Sequence, residues 1–130
     1  QHMVNIRAEK VARIADRIPE QEVFGPEWGD LLVLGWGSTY GALRSGVRRA
    51  QAKGQKVAHV HLRHLNPFPR NLGDLLLKYD KVVVPELNMG QLSKMLDAKF
   101  PLKVISYPKV QGQPFKIAEI TSKIDEILEN

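Results

Sequence analysis

Three closely spaced glycines after an apolar run are the first residues with a chemical use. They stand at positions 35, 37 and 41 of the stretch LLVLGWGSTYG, Leu31–Gly41. A glycine turn between a strand and a helix lets backbone N–H groups approach a phosphate. This turn is one residue longer than the dinucleotide fingerprint, and Trp36 crowds the approach. No acidic residue follows the second predicted strand to bind a ribose.

Two hypotheses therefore remain for this turn. In one, it only joins a strand to a helix, and its glycines serve the backbone. In the other, it binds a nucleotide or a coenzyme A phosphate, with help from Arg44 or Arg63. The candidate contacts of that second hypothesis are Gly37, Ser38 and Thr39.

Three histidines and one glutamate are candidates for metal binding or acid–base chemistry. His59 and His61 lie two residues apart on a predicted strand and so share a face, with His64 or Glu86 as a third ligand. A histidine pair on a strand covered by helices is more often a hydrogen-bonded part of the core, so we predict no metal site. Glu86 could act as an acid or a base, but a cap on the following turn is the favoured interpretation. The chain has neither a GxSxG elbow nor a P-loop, and we predict no catalytic residue.

Charge and composition narrow the partners. Lys and Arg number 19 against 14 Asp and Glu, a net charge of +5. A basic helix face, Arg44, Arg48, Arg49 and Lys53, is typical of a solvated stripe, or of an interface with carboxylates or phosphates. Aromatic residues do not interleave with the basic ones, so nucleic acid is the least favoured class of partner. No apolar run is long enough to span a membrane. The absence of cysteine excludes thiolate and iron–sulfur ligation and predicts a cytoplasmic protein.

The elements that position these residues alternate between short apolar strands and amphipathic helices. Strands are predicted at 31–34, 56–62, 81–85 and 102–107, and helices from a Ser38 cap to 53, at about 72–79, 91–99 and 116–129. Such alternation predicts a small, doubly wound, mostly parallel α/β sheet with helices on both faces.

The chain before this alternation differs in pattern. Apolar spacings of three and four predict a helix over 3–18, and a Pro- and Gly-containing loop follows to residue 29. We therefore expect a connector at 1–29 and the α/β domain at 30–130. Gln1 and His2 before Met3 indicate a cloning scar or a piece of a longer chain.

Four loops share one rim of the predicted sheet, because each follows the carboxyl end of a strand. They contain GWGSTYG, RHLNPFP, ELNMGQ and VQGQPF. Phe68 and Phe115 stand in proline-flanked loops, where apolar rings predict anchors for a partner chain.

The motifs LGWGSTYGA, HLNPFP, VPELNMGQL and KVQGQPF together resemble the C-terminal domain of the 2-oxoglutarate:ferredoxin oxidoreductase alpha subunit and its 2-oxoacid relatives. The resemblance runs from about residue 5 to 128 and implies a transketolase C-terminal-like fold. Enzymes of this family convert a 2-oxoacid and coenzyme A to acyl-CoA and CO2 and reduce ferredoxin. They use thiamine diphosphate, Mg and an iron–sulfur cluster. Gly29-Asp30 and Gly73-Asp74 lack the next glycine of the diphosphate motif, so the resemblance implies that this chain binds none of these cofactors.

The resemblance thus implies an assembly domain, inactive on its own, whose partners are the remainder of the alpha subunit and the beta subunit. Ferredoxin is the partner of the whole complex. Polar side chains would hydrogen-bond partner backbone, and the two phenylalanine rings would fill partner pockets. The expected interface and rim residues are Trp36, Ser38, Asn66, Phe68, Glu86, Asn88, Gln91, Gln113 and Phe115.

Overall fold

A four-stranded parallel sheet forms the centre of the chain. The computed structural model describes residues 17–87, 89–109 and 113–129. The strands are β1 (Gly29–Trp36), β2 (Val57–Leu62), β3 (Tyr79–Glu86) and β4 (Ile105–Pro108), in the order β2-β1-β3-β4. All three neighbouring pairs are parallel. The helices are α1 (Tyr40–Ala52), α2 (Leu72–Leu76), α3 (Gln91–Lys99) and α4 (Ile117–Glu129).

Helices cover both faces of the sheet, as predicted. Leu31 and Val33 of β1 pack into one core cluster with residues of α1 and α4. Their neighbours Leu32 and Leu34 point the other way, into a second cluster with residues of α2 and α3. Both faces of β1 are therefore buried, which accounts for its continuous apolar run.

Several element boundaries differ from the predictions. Strand β1 is longer than predicted at both ends, and the helix predicted at 72–79 ends at Leu76 because β3 already begins at Tyr79. Two further differences have local reasons. A 3-10 helix, Gly37–Thr39, precedes α1, and no side chain caps either helix, so the prediction of a Ser38 cap is wrong. The hydroxyl of Thr39 instead donates to the Trp36 carbonyl, at 2.9 Å. Strand β4 begins three residues later than predicted. Before it, the Val104 N–H donates to the Asp97 carboxylate, at 3.0 Å, and not to a strand.

A short segment of the predicted connector covers the outer edge of β2. Phe24 and His59 exchange two antiparallel backbone hydrogen bonds, of 2.8 and 3.0 Å. The Asn71 side chain accepts from the Gln21 N–H and donates to the Gln21 carbonyl. We call residues 20–28 the strap. All but the last two residues of the predicted helix at 3–18 lie outside the described residues.

Within the described ranges, no helix has both the length and the apolar character needed to cross a membrane.

Candidate functional site

The carboxyl ends of β1 and β3 lie side by side at the point where the chain reverses direction through the sheet. From β1 the chain passes to β2 on one side and then to β3 on the other. Open α/β sheets place ligands and partners at this kind of switch point, because the loops there diverge. The loop after β1 lies at this place, as do residues 87, 89 and 90 after β3.

A buried carboxylate organises the switch point. Glu86, the last residue of β3, is 1% exposed. One of its oxygens accepts from the Leu92 N–H at 2.7 Å and from the Trp36 indole N–H at 3.2 Å. The other accepts from the backbone N–H and the hydroxyl of Ser93, at 3.2 and 3.1 Å. Because an unpaired buried carboxylate is costly, these four bonds are what allow the charge to lie there.

Glu86 caps the amino terminus of α3, which the N-cap residue itself cannot do. The N-cap residue is Gly90, with φ of 79° in the left-handed region and no side chain to accept from the first turn. A carboxylate at a helix N-terminus also faces the positive end of the helix dipole. The interpretation of Glu86 as a cap agrees with this geometry. Its carboxylate is enclosed by this chain and is not open to a partner.

The two phenylalanines expected as exposed anchors are buried, each at 6% exposure. The Phe68 ring lies 5.9 Å from that of Phe100, and the Phe115 ring 5.3 Å from that of Tyr107. The two belong to the clusters on opposite faces of the sheet. This burial does not fit the prediction of partner anchors, because both proline-flanked loops turn back over the core and a partner could reach these rings only by displacing them.

The remaining expected rim residues differ in exposure. Trp36 is half-buried, whereas Ser38, Asn66, Gln91 and Gln113 are exposed; Asn88 lies outside the described residues. The sequence reading missed Met89, whose side chain is 69% exposed. A methionine between Asn and Gly in a rim loop was its only sequence signal. We call Trp36, Ser38, Met89 and Gln91 the rim surface.

The glycine turn has backbone reasons for two of its glycines. A Cβ on Gly35 would lie 2.4 Å from a Leu43 methyl carbon, so any larger residue would force the buried Leu43 side chain between β1 and α1 to move. Gly37 has φ of 66°, which other residues rarely adopt. Of the three candidate phosphate contacts, Gly37 and Ser38 are exposed and Thr39 is buried.

His59 and His61 belong to an aromatic and cationic cluster at β2. His59 is fully buried, and its Nδ1 accepts from the Arg44 Nε–H at 2.9 Å. Burial, the Arg44 charge and His61 lower the pKa of His59 to about 3, so the ring is neutral with its proton on Nε2. The two imidazole rings are 6.4 Å apart. No group of three metal-ligating side chains occurs in the described part of the chain.

Comparison with known proteins gives a consistent result across the chain. The model of the family "Pyruvate:ferredoxin oxidoreductase core domain II" matches residues 29–120. The chain is 49% identical over 119 residues to the 2-oxoglutarate oxidoreductase subunit KorA of Mycobacterium tuberculosis, covering 91% of this chain and 18% of that protein. It is 32% identical to subunit alpha of the 2-oxoacid:ferredoxin oxidoreductase 1 of Aeropyrum pernix, covering 95% and 21%. The chain thus spans about a fifth of the length of these relatives.

Solved structures agree with the fold. A 2-oxoglutarate:ferredoxin oxidoreductase from Magnetococcus marinus, with 2-oxoglutarate, coenzyme A and succinyl-CoA bound, matches 97% of this chain and 23% of its own, with a TM-score of 0.89 and 32% identity. A split-gene transketolase matches 83% of this chain and 41% of its own, with a TM-score of 0.61 and 15% identity. At that identity, the likeness concerns the fold alone.

Proposed function

Because the chain belongs to the pyruvate:ferredoxin oxidoreductase core domain II family, we propose that it is the C-terminal domain of the alpha subunit of a 2-oxoglutarate:ferredoxin oxidoreductase. The observation that carries the proposal is 49% identity across nine-tenths of the chain to a 2-oxoglutarate oxidoreductase subunit. The whole enzyme would convert a 2-oxoacid and coenzyme A to acyl-CoA and CO2 and reduce ferredoxin. Its predicted location is the cytoplasm.

The residues of this chain do not fit the cofactors of that reaction. The diphosphate motif is incomplete at both Gly-Asp pairs, and the chain has no cysteine to ligate an iron–sulfur cluster. The only buried acidic side chain among the described residues, Glu86, is committed to four hydrogen bonds within the domain. Thiamine diphosphate, Mg and the cluster would therefore be held by the remainder of the alpha subunit or by the beta subunit.

The role proposed for this chain is assembly through the rim surface. An exposed methionine and a half-buried tryptophan follow the carboxyl ends of neighbouring strands, where they offer a partner apolar contacts. Glu86 supports this surface from below by fixing both Trp36 and the start of α3. Exposed amides of Asn66, Gln91 and Gln113 would hydrogen-bond the backbone of the partner chains.

Co-purification tests the assembly role with two matched variants. The tagged 130-residue chain is produced together with the remaining alpha-subunit sequence and the beta subunit as separate chains. Met89→Asp should weaken capture of the partners by about tenfold or more, because it places a charge in an apolar contact. Leu77→Asp is the control. Leu77 is 62% exposed, but it precedes β3 and so lies at the amino-terminal ends of the strands, away from the rim surface.

Activity provides the second readout. The reassembled enzyme should reduce ferredoxin only when both 2-oxoglutarate and coenzyme A are present, and the isolated chain should not. Full capture with Met89→Asp, or loss only with Leu77→Asp, would remove the rim surface from the interface. Absence of 2-oxoglutarate-dependent reduction in a reassembled enzyme would overturn the substrate assignment.

A further inference from the structure

A second cleft lies beside the end of β2 and shares no residue with the rim surface. Its volume is about 420 Å³, within the range of small-molecule sites. The strap and the residues just before it form one wall, with Glu20, Gln21 and Glu22. The other wall consists of Tyr40, Arg44, His61, Arg63, His64 and Pro69. We call this space the β2 cleft.

Arg44 is held in one orientation within the β2 cleft. Its guanidinium carbon lies 4.0 Å from the centre of the Phe24 ring and 4.9 Å from that of Tyr40. The Nε–H donates to His59, so the two terminal nitrogens of the fork are left for another acceptor. No ion pair to Arg44 occurs among residues 17–87, 89–109 and 113–129. A fixed guanidinium without a carboxylate loses little side-chain freedom when it binds an anion.

Arg63 adds a second positive charge to the same wall. Its side chain is exposed, and it too has no ion pair within the described ranges. The charges of Arg63 and Arg44 both act on His61, whose pKa is lowered first by burial and then by these two neighbours. The Nδ1 of His61 is buried without a hydrogen-bond partner in the described residues. Arg44 and Arg63 therefore line the same cleft, and both lie close enough to His61 for their charges to act on it.

The opposite wall carries carboxylates. Glu22 is exposed, and Glu20 lies 3.9 Å from Arg70 in a solvent-exposed pair. An anion would be repelled from these two groups and attracted to the arginine wall. Hydroxyl or amino groups of a ligand would find acceptors on the strap side.

We propose that the β2 cleft binds a small molecule that carries a phosphate group at one end and an amino or hydroxyl group at the other. The phosphate lies between Arg44 and Arg63, because guanidinium forks donate to phosphate oxygens in pairs. The other end faces Glu20 and Glu22. This site is independent of the proposed assembly role.

Calorimetry on the 130-residue chain tests the β2 cleft, with inorganic phosphate and O-phosphoethanolamine as probes at constant ionic strength. Both should bind saturably, with a dissociation constant below about 20 mM. O-phosphoethanolamine should bind more tightly than inorganic phosphate, because its ammonium group meets the strap carboxylates. Arg63→Gln should weaken both probes by about fivefold or more. Arg49→Gln, an exposed arginine of α1 that does not line the cleft, is the matched control and should change neither affinity by more than about twofold.

Glu22→Gln separates the two walls. It should weaken phosphoethanolamine and leave inorganic phosphate equal or tighter, because one repulsive charge is removed. Thermal unfolding of each variant without ligand verifies that it folds. No saturable binding to the parent chain, or equal losses in the Arg63 and Arg49 variants, would overturn the site. Equal affinity of the two probes would overturn the orientation. None of these outcomes bears on the Met89 co-purification test.

Discussion

At the scale of single residues, two buried polar side chains connect the sheet to neighbouring elements. Glu86 connects three parts of the chain, since its acceptors hold the indole of β1 and two amides of α3. His59 holds Arg44 in place from the middle of β2. Both are buried; the Glu86 carboxylate has four partners, whereas the His59 ring has one, at Nδ1, and its Nε2 has none among the described residues. Their roles belong to the interior and not to a surface.

Replacement of Glu86 by glutamine should cost about 1–3 kcal/mol of unfolding free energy. Glutamine has one carbonyl oxygen, so one of the two amides of α3 would face an NH2 group and lose its acceptor. Urea unfolding of Glu86→Gln measures the loss. Glu126→Gln, with its side chain 63% exposed on α4, is the control and should stay within about 0.5 kcal/mol. Equal effects of the two variants would contradict the capping role.

The neutral state of His59 makes stability depend on pH. The pKa of His59 is about 3 in the folded chain and 6.5 as the ordinary value, so between these values the unfolded chain binds a proton that the folded chain refuses. The contribution of neutral His59 to the free energy of unfolding is fully present above pH 6.5 and is lost as the pH falls toward 3. From about pH 7 to about pH 5, the loss should be about 2 kcal/mol.

Urea unfolding at the two pH values measures this dependence. In His59→Gln, which keeps an acceptor for Arg44, most of the loss should disappear. The exposed His64→Gln should retain it. An unchanged pH dependence in His59→Gln would show that the histidine is not responsible.

At the scale of elements, α1 and α4 pack directly against each other at a glycine. A Cβ on Gly46 would lie 2.5 Å from the Cγ2 of Ile120 and 2.8 Å from its Cβ. These are core atoms of a buried side chain, which cannot turn away as a flexible chain end would. The two helices would have to separate to admit one methyl group.

We expect Gly46→Ala to destabilise the chain by about 1–3 kcal/mol through overpacking. Gly41→Ala, on the same helix but with open space around its Cβ, should raise stability by about 0.5–1 kcal/mol through helix propensity. Thermal and urea unfolding of the pair give opposite signs if the packing argument holds. A stabilised Gly46→Ala would indicate that α4 is not fixed against α1.

The elements were largely predictable from sequence, whereas the contacts between them were not. Strand–helix alternation predicted the parallel sheet, and the span of α3 agrees residue for residue. The prediction of a Ser38 cap was wrong because a three-residue 3-10 helix precedes α1. Whether that short helix forms depends on the packing around Gly35 and Thr39, which the sequence pattern does not show. The burial of Phe68 and Phe115 was not predictable, because a proline indicates a loop but not the direction in which that loop turns. The strap carries no periodicity that would announce its pairing with β2.

At the scale of the whole molecule, the strap closes an edge that would otherwise be open. Strand β2 is the first strand of the sheet, and Phe24 supplies backbone partners to His59 on its outer side. Uncovered edge strands pair with other chains. The family model matches only from residue 29, so the strap lies outside the matched part.

Removal of the strap should therefore cause self-association. A chain that begins at Gly29 lacks the pairing at Phe24 and the ring that covers Arg44. A chain that begins at Arg17 retains both and is the control. Analytical ultracentrifugation should show larger species for the shorter chain alone, and a monomeric shorter chain would contradict the edge argument.

The carboxylate beneath α3 also changes how that helix opens. The first amides of a helix normally have no acceptor and exchange with solvent deuterium ahead of the interior ones. In this chain the amides of Leu92 and Ser93 are both bonded to Glu86 and buried. They should exchange at rates typical of the helix middle, measurable by NMR, so α3 frays from its carboxyl end only. Glu86 thus links the end of β3 directly to the first turn of α3, and the exposed Met89 lies between two positions held by the same carboxylate.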